Sequence, residues 1–142
     1  MSHQTEIKVV SLTNRLNDLG KIAGALEDIA DLWSLPVDLT MTLNLVIEEA
    51  FTNVVNYAFQ DESFHDIELV IQKIDNRLVI SLKDDGVAYD PTLNSDPDIS
   101  TSARDRKIGG LGIFLIKKMM DKVSYERSGE TNILTMEKLI AD

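Results

Sequence analysis

The amino-acid sequence predicts an α+β two-layer sandwich, in which helices cover one face of a mixed sheet. Two observations favour this fold class. Segments with apolar residues at every second position alternate with longer segments in which apolar residues recur every three or four positions. Four of the strand-like segments also form two pairs, and each pair is joined by turn-forming residues, as in β-hairpins.

A short strand and a long helix are predicted at the start of the chain. Residues 5–11 carry Ile7 and Val9 at a period of two, and Ser11 or Thr13 could cap a following helix. Apolar residues then recur in steps of four and three: Leu12, Leu16, Leu19, Ala23, Leu26, Ala30 and Trp33. This stripe could face the domain core or a dimer seam. Because it is shorter than four heptads and contains two glycines, we favour the core.

A second helix and a hairpin are predicted next. The helix begins near Pro36, because proline is tolerated in a first helical turn, and runs to about Ala58. Residues 66–74 and 77–83 then alternate apolar and polar side chains on either side of Asp75-Asn76. A two-residue turn of this composition joins antiparallel strands.

A long irregular segment separates this hairpin from the end of the chain. Residues 89–108 contain two prolines, no glycine and no periodic pattern. Such a segment is a lid, a binding loop or a disordered stretch, and we predict a lid. A glycine turn then opens a helix within residues 109–121, and residues 122–127 and 131–138 form a second hairpin. We therefore treat residues 1–142 as a single domain.

Composition narrows the functional classes. A chain of 142 residues that is 44% hydrophobic can bury the core of one domain. A net charge of −10 argues against direct binding to nucleic acid or to a membrane surface, since both require clustered cations. The absence of cysteine excludes disulfides and thiolate chemistry. The polar first residues do not form a signal peptide, so a cytoplasmic location is expected.

Three polar side chains share one face of the predicted second helix. Glu49, Asn53 and Asn56 fall within about 60° of one another at helical spacing, and no lysine or arginine occurs between Lys21 and Lys73 to pair with them. A carboxylate and a carboxamide one turn apart suit Mg²⁺, which takes few protein ligands in addition to phosphates and water. An ordinary solvated face is the alternative.

Two glycine-containing segments could approach a ligand. Asp84-Asp85-Gly86 ends a strand, where it forms either a plain turn or a contact site for a ligand. Gly109-Gly110-Leu111-Gly112 precedes a helix, whose free N–H groups and positive dipole end attract anions. Each segment is a weak signal when taken alone.

In their order along the chain, these features resemble the GHKL superfamily of ATP-binding domains, which has the Bergerat, or histidine-kinase-like ATPase, fold. Residues 49–53 match its first motif, residues 84–88 its second, residues 110–112 its third, and Thr131 its final threonine. The closest likeness is to bacterial anti-sigma-factor serine/threonine kinases of the RsbW and SpoIIAB type. The family's glycine is replaced by Ala88, and Glu130 stands where a glycine often precedes the threonine.

The resemblance implies a role for each matched residue. Glu49 would be the catalytic base that accepts the proton of a protein hydroxyl, and Asn53 would bind Mg²⁺. Asp84 would hold the adenine amino group, with Gly86 admitting the base. ATP would further contact Ala88, Gly110, Leu111, Gly112 and Thr131, and lid cations at Arg104, Arg106 or Lys107 would contact its phosphates.

The resemblance also implies a function. The protein would be an ATP- and Mg-dependent serine/threonine protein kinase that acts as an anti-sigma factor. It would phosphorylate a STAS-domain antagonist, bind a sigma factor as the competing partner and form a homodimer. The alternative is a non-catalytic nucleotide-binding module that sequesters a regulatory protein. Glu49 favours the kinase, whereas Ala88 favours the module. A histidine kinase is disfavoured, since neither His3 nor His65 lies in a long helix.

Overall fold

The computed structural model describes residues 5–59, 61, 63–93 and 110–140, and at 110–112 it describes the backbone only. The described residues form five strands, three α-helices and two short 3-10 turns. Their order is β1 (Thr5–Thr13), a 3-10 turn (Leu16–Asp18), α1 (Leu19–Leu32), α2 (Val37–Tyr57), β2 (Asp66–Ile74), β3 (Arg77–Asp84), a 3-10 turn (Pro91–Leu93), α3 (Gly110–Met119), β4 (Lys122–Ser128) and β5 (Thr131–Leu139).

The sheet has the strand order β1-β2-β3-β5-β4, and every neighbouring pair is antiparallel. The prediction of a mixed sheet was therefore wrong. Two successive helices connect β1 to β2 and reverse the direction of the chain between them. Along the chain, α3 connects β3 to β4, and these two strands run in the same direction. In the sheet, however, β5 lies between them. No parallel ladder forms among the described strands.

The predicted α+β two-layer sandwich is confirmed. Alternate side chains of the strands are buried, and the three helices supply the other side of one apolar core. Along β3, for example, Leu78, Ile80 and Leu82 are buried while the residues between them are partly exposed. The opposite face of the sheet is more open, and on β1 the side chain of Ile7 keeps 57% of its surface exposed.

The first helix begins later than predicted. Leu12 belongs to β1 and is buried there, and the helix starts only at Leu19. Asp18 closes the turn between them, because its Oδ2 accepts hydrogen bonds from Thr13 N at 2.7 Å and Thr13 Oγ1 at 2.9 Å. Burial opposes ionisation of Asp18, but these hydrogen bonds lower its pKa. The buried stripe of the helix consists of Ile22, Ala25, Leu26 and Ile29, and the predicted stripe shares only Leu26 with it.

The other elements lie close to their predicted positions. Pro36 directly precedes α2, and the helix ends at Tyr57. The Asp75-Asn76 turn joins β2 to β3, with Asp75 at a φ of 55°, and Gly129 turns between β4 and β5 at a φ of 61°. These positive φ values are those that two-residue hairpin turns require. Within the described ranges, no helix is long and apolar enough to cross a membrane.

Candidate functional site

A cleft lies between the C-terminal half of α2, the end of β3 and the start of β5. Two of the predicted site residues, Asn53 and Asp84, line this cleft. Its described walls are otherwise mainly apolar and aromatic, which is typical of small-molecule sites. Among the described residues, the lining consists of Ala50, Asn53, Val54, Tyr57, Ala58, Leu82, Asp84, Val87, Tyr89, Pro91, Tyr125, Asn132 and Leu134.

Three polar side chains follow one another along α2 at intervals of one turn: Glu49, Asn53 and Tyr57. Since four residues advance a helix by about 6 Å, they span about 12 Å. Asn53 and Tyr57 line the cleft, whereas Glu49 is half-buried, lies one turn before Asn53 and is not part of the described lining. Asn56, which was predicted to share their face, is exposed and does not line the cleft.

Two of these side chains carry buried polar atoms without partners. Within the described part of the chain, Asn53 Oδ1 and the Tyr57 hydroxyl make no hydrogen bond although both are buried. Leaving such a group unsatisfied costs about 1–3 kcal/mol. Burial, and secondarily the neighbouring Tyr89, raises the pKa of Tyr57, so this hydroxyl remains a hydrogen-bond donor. The cleft therefore offers an acceptor and a donor that a ligand can satisfy.

The Asn53 amide oxygen fits a magnesium ion, which prefers oxygen ligands. Among the described residues, no group of three or more His, Cys, Asp or Glu side chains could hold a metal ion. An ion bound at Asn53 would therefore depend on further oxygens supplied by a ligand, such as phosphates.

Asp84 and Gly86 form a tight turn at the end of β3. Asp84 is buried, and its Oδ1 accepts a hydrogen bond from Gly86 N at 2.8 Å. The turn packs directly on the end of α2, where Val87 N donates to Ala58 O at 2.8 Å. A Cβ atom at position 86 would lie 2.3 Å from Ala58 O and 2.5 Å from Ala58 Cβ. A contact with the protein's own helix therefore requires this glycine, whether or not a ligand is bound.

Replacing Gly86 by alanine should destabilise the protein by about 3 kcal/mol, because backbone atoms of Ala58 cannot move away cheaply. Gly24→Ala in α1 is the matched control, since a Cβ there meets nothing within 4 Å. We expect the control to gain about 0.5–1 kcal/mol from the higher helix propensity of alanine. Urea unfolding measures both changes, and a Gly86→Ala variant as stable as wild type would contradict the packing described here.

Three residues of the second hairpin that the sequence did not single out form a hydrogen-bonded chain that leads to Asp84. Asn132 lies opposite Asp84 in the ladder between β3 and β5, and its Nδ2 donates to Asp84 Oδ1 at 2.9 Å. Arg127 and Tyr125 on β4 donate in turn to Asn132 Oδ1. One signal was available: Asn132 is a polar residue at an inward position of a strand whose next inward residues, Leu134 and Met136, are apolar.

Two other predicted contacts lie outside the described lining. Thr131 is half-buried at the start of β5, on the face opposite to that of Asn132. Ala88 is exposed and is not part of the described lining. Contact of either residue with a nucleotide stays a prediction.

The structure describes only the backbone of the third motif and only the first residues, 89–93, of the predicted lid. Gly110, Leu111 and Gly112 form the first turn of α3, a helix that packs against α2. Arg104, Arg106 and Lys107, together with the predicted lid from residue 94 onward, lie outside the described residues. At the start of the lid segment, Lys117 Nζ on α3 donates to Thr92 O at 2.6 Å.

A single histidine, His65, contacts two aspartates and a phenylalanine beside the Asp84 turn. The ring of His65 stacks on Phe59 with centroids 4.1 Å apart. Its Nε2 lies 2.7 Å from Asp61 Oδ1, and its Nδ1 lies 3.3 Å from Asp85 Oδ1. The hydrogen bond with Asp61 raises the pKa of His65 and lowers the pKa of Asp61, and Asp85 adds to the rise at His65. The protonated ring therefore joins the loop after α2 to the loop after β3.

The stability contributed by His65 should depend on pH. A raised pKa in the folded state stabilises the protein below the unfolded value of about 6.5, and this contribution is lost as pH rises through the folded value. The lowered pKa of Asp61 limits the contribution at low pH. His65→Phe keeps the ring stacking but removes the charge, so its unfolding midpoint should differ most from that of wild type near pH 5.5. A difference that does not change between pH 5 and pH 9 would contradict this.

Known proteins resemble this chain along most of its length. Residues 12–138 match the family model described as the histidine kinase-like ATPase domain. The serine/threonine-protein kinase BtrW of Bordetella bronchiseptica is 35% identical over 113 residues, which are 78% of this chain and 78% of that protein. The serine-protein kinase RsbW of Listeria monocytogenes is 29% identical over 122 residues, covering 82% and 76% of the two chains.

A third relative extends the match to almost the whole chain. The serine-protein kinase RsbW of Halalkalibacterium halodurans is 27% identical over 142 residues, which are 97% of this chain and 86% of that protein. Together with the antiparallel five-stranded sheet and its layer of helices, these matches identify the family. The chain belongs to the histidine kinase-like ATPase family, within the GHKL group that contains the serine-protein kinase RsbW and the serine/threonine-protein kinase BtrW.

Proposed function

We propose that this protein is an ATP-dependent serine/threonine protein kinase that acts as an anti-sigma factor. Three relatives that cover most of the chain are named serine- or serine/threonine-protein kinases, which supports the reaction type. The observation that carries the proposal is the order in which three polar side chains follow one another along the cleft and α2. The turn that carries Asp84 packs on Ala58 at the end of α2, Asn53 lies more than one turn earlier on this helix, and Glu49 lies one turn earlier still.

This order matches the order of groups in a nucleotide undergoing phosphoryl transfer. The adenine ring would lie at the aromatic end of the cleft. There Asp84 would accept a hydrogen bond from the adenine amino group, and Tyr57 would donate one to the nucleotide. The phosphates would lie near Asn53, with N–H groups from the first turn of α3, at Gly110 to Gly112, as further donors. The acceptor hydroxyl would then be adjacent to Glu49.

Phosphoryl transfer depends mainly on positioning and charge neutralisation. The Glu49 carboxylate accepts the proton of the protein hydroxyl while that oxygen forms a bond to the γ-phosphorus, and the bond to the departing ADP oxygen breaks. Asn53 would hold Mg²⁺, which when bound neutralises charge on the phosphates.

The partners follow from the same proposal. The phosphorylated protein would be a STAS-domain antagonist, and a sigma factor would be the competing ligand that is released when the antagonist binds. A homodimer in the cytoplasm would be the working form. Net charge of −10 is compatible with protein partners rather than nucleic acid.

A non-catalytic nucleotide-binding module that sequesters a regulatory protein is the second candidate. The cleft around Asn53 and Asp84 is compatible with it, because these side chains would bind a nucleotide in either case and only the kinase also uses Glu49. The two candidates agree on nucleotide binding and differ only in the transfer step.

A transfer assay with the wild-type protein separates them. The protein is incubated with γ-labelled MgATP and a STAS-domain protein from the same genome, with a serine-to-alanine variant of that STAS domain as the control. We expect label on the STAS domain, one ADP formed per label, and no label on the control. Nucleotide binding without transfer to any STAS partner would support the module, and no binding of ATP would overturn both candidates.

A further inference from the structure

We infer that Asn132 is a positioning residue that makes the cleft selective for a base with an exocyclic amino group. This inference rests on the proposed binding of ATP and concerns a residue outside the matched motifs. Asn132 is buried, lies beside Asp84 on the neighbouring strand β5, and is part of the cleft lining. It does not need to touch the nucleotide, because its effect is on the Asp84 carboxylate.

The first step is the orientation of the Asn132 carboxamide. Its Nδ2 donates to Asp84 Oδ1 at 2.9 Å and to Val87 O at 2.8 Å. Its Oδ1 accepts from Arg127 Nη1 at 3.1 Å and from the Tyr125 hydroxyl. A flip of the carboxamide would place its oxygen against two acceptors and its nitrogen against a guanidinium donor. The surrounding groups therefore permit one orientation.

The second step is the bracing of Asn132 by Arg127. The same Nη1 atom donates to Gly86 O at 2.7 Å, and Nε donates to Gly129 O at 3.2 Å. Arg127 thereby ties the hairpin of β4 and β5 to the turn that carries Asp84. The loop that follows β3 is held from both sides, by this arginine and by the contact of Gly86 with Ala58.

The third step is the consequence for the carboxylate. Both hydrogen bonds that described residues donate to Asp84, from Gly86 N and Asn132 Nδ2, engage Oδ1. Oδ2 is then the oxygen presented to a ligand in the cleft. An ionised carboxylate oxygen only accepts hydrogen bonds, so it favours the amino group of adenine and repels the carbonyl oxygen that guanine and hypoxanthine carry at the same position.

The test compares ATP with inosine triphosphate, which carries a carbonyl in place of the amino group. We expect wild-type protein to bind ATP about 100-fold more tightly than inosine triphosphate. Asn132→Ala should reduce this ratio about tenfold, mainly by weakening the binding of ATP. Thr135→Ala is the matched control, because Thr135 lies on the opposite face of β5 from Asn132 and outside the described lining of the cleft, and it should leave the ratio unchanged. Calorimetric titration in Mg²⁺ measures both affinities, and thermal unfolding checks that each variant is folded.

A merely structural role would lower both affinities by the same factor, and an unchanged ratio in Asn132→Ala would overturn the inference. Arg127→Met provides a second route if Asn132→Ala does not fold, because Arg127 is exposed and its loss should lower the ratio in the same direction. An unchanged ratio in that folded variant would likewise overturn the inference. Wild-type protein that binds neither nucleotide would instead refute the proposed function itself.

Discussion

Glu49→Gln is expected to lower phosphoryl transfer to the protein substrate by about 10²–10⁴-fold, because glutamine has the shape of glutamate but cannot accept the hydroxyl proton. The side chain lies one turn from Asn53 and outside the described lining of the cleft. MgATP affinity should therefore change by less than about threefold. Single-turnover transfer and a nucleotide titration on the same sample measure the two effects.

The matched control is Glu48→Gln. Glu48 is also half-buried on α2, but its Oε1 accepts a hydrogen bond from Asn44 Nδ2 at 3.3 Å, on another face of the helix. We expect this variant to transfer phosphate at the wild-type rate. Equal losses in the two variants would show that a general change in the helix, rather than the loss of a base, slows the reaction.

Asn53→Ala should affect the free protein and the complex very differently. In the free protein the Asn53 oxygen is buried without a partner among the described residues, and the gain from removing it offsets the packing lost with the side chain, so the free energy of unfolding should change by less than about 1 kcal/mol. In the complex the variant loses the ligand that the proposed magnesium ion needs. At an MgATP concentration of about 100 times the wild-type Kd, the nucleotide should stabilise the wild-type protein by about 2.7 kcal/mol. A 100-fold weaker affinity would reduce this stabilisation to about 0.4 kcal/mol at the same concentration.

Asn56→Ala is the control for this prediction, because Asn56 is exposed on the same helix and does not line the cleft. It should retain the full stabilisation by MgATP. Thermal unfolding with and without MgATP measures all three proteins. A wild-type response in Asn53→Ala would exclude this side chain as a ligand of the nucleotide-bound metal ion.

Local chemistry made much of the fold predictable. The turn at Asp75-Asn76 and the start of α2 after Pro36 depend on residues that are adjacent in the chain, and both were predicted correctly. The beginning of α1 was not, because Leu12 fits both the period of a strand and the period of the helix that follows. Its burial in β1 is determined by the sheet.

The order of the strands could not be read from local patterns. Periodicity places β4 and β5 in a hairpin, but the insertion of β5 beside β3 depends on contacts between segments far apart in the chain. The prediction of a mixed sheet failed for this reason. The inward-facing positions of these strands were nonetheless visible from their alternation.

The candidate site, too, was predictable only where it depends on residues that are close together in the sequence. The motif around Asp84 indicated that position 86 needs a glycine, but only the structure shows that Ala58 on α2 is the neighbour that requires it. Asn132 was missed because its partner, Asp84, is identified by the register of two strands and not by spacing in the sequence. The lid cations at Arg106 and Lys107 stay a prediction.

The most direct test of nucleotide binding in this cleft is the NMR spectrum of the asparagine side-chain amides with ATP and Mn²⁺ in place of Mg²⁺. Paramagnetic broadening falls steeply with distance from the metal ion. We expect the Asn53 signals to broaden most, and those of Asn44, about 14 Å earlier along α2, to broaden far less. Strong broadening at Asn44 with sharp Asn53 signals, at saturating nucleotide, would contradict the proposed site.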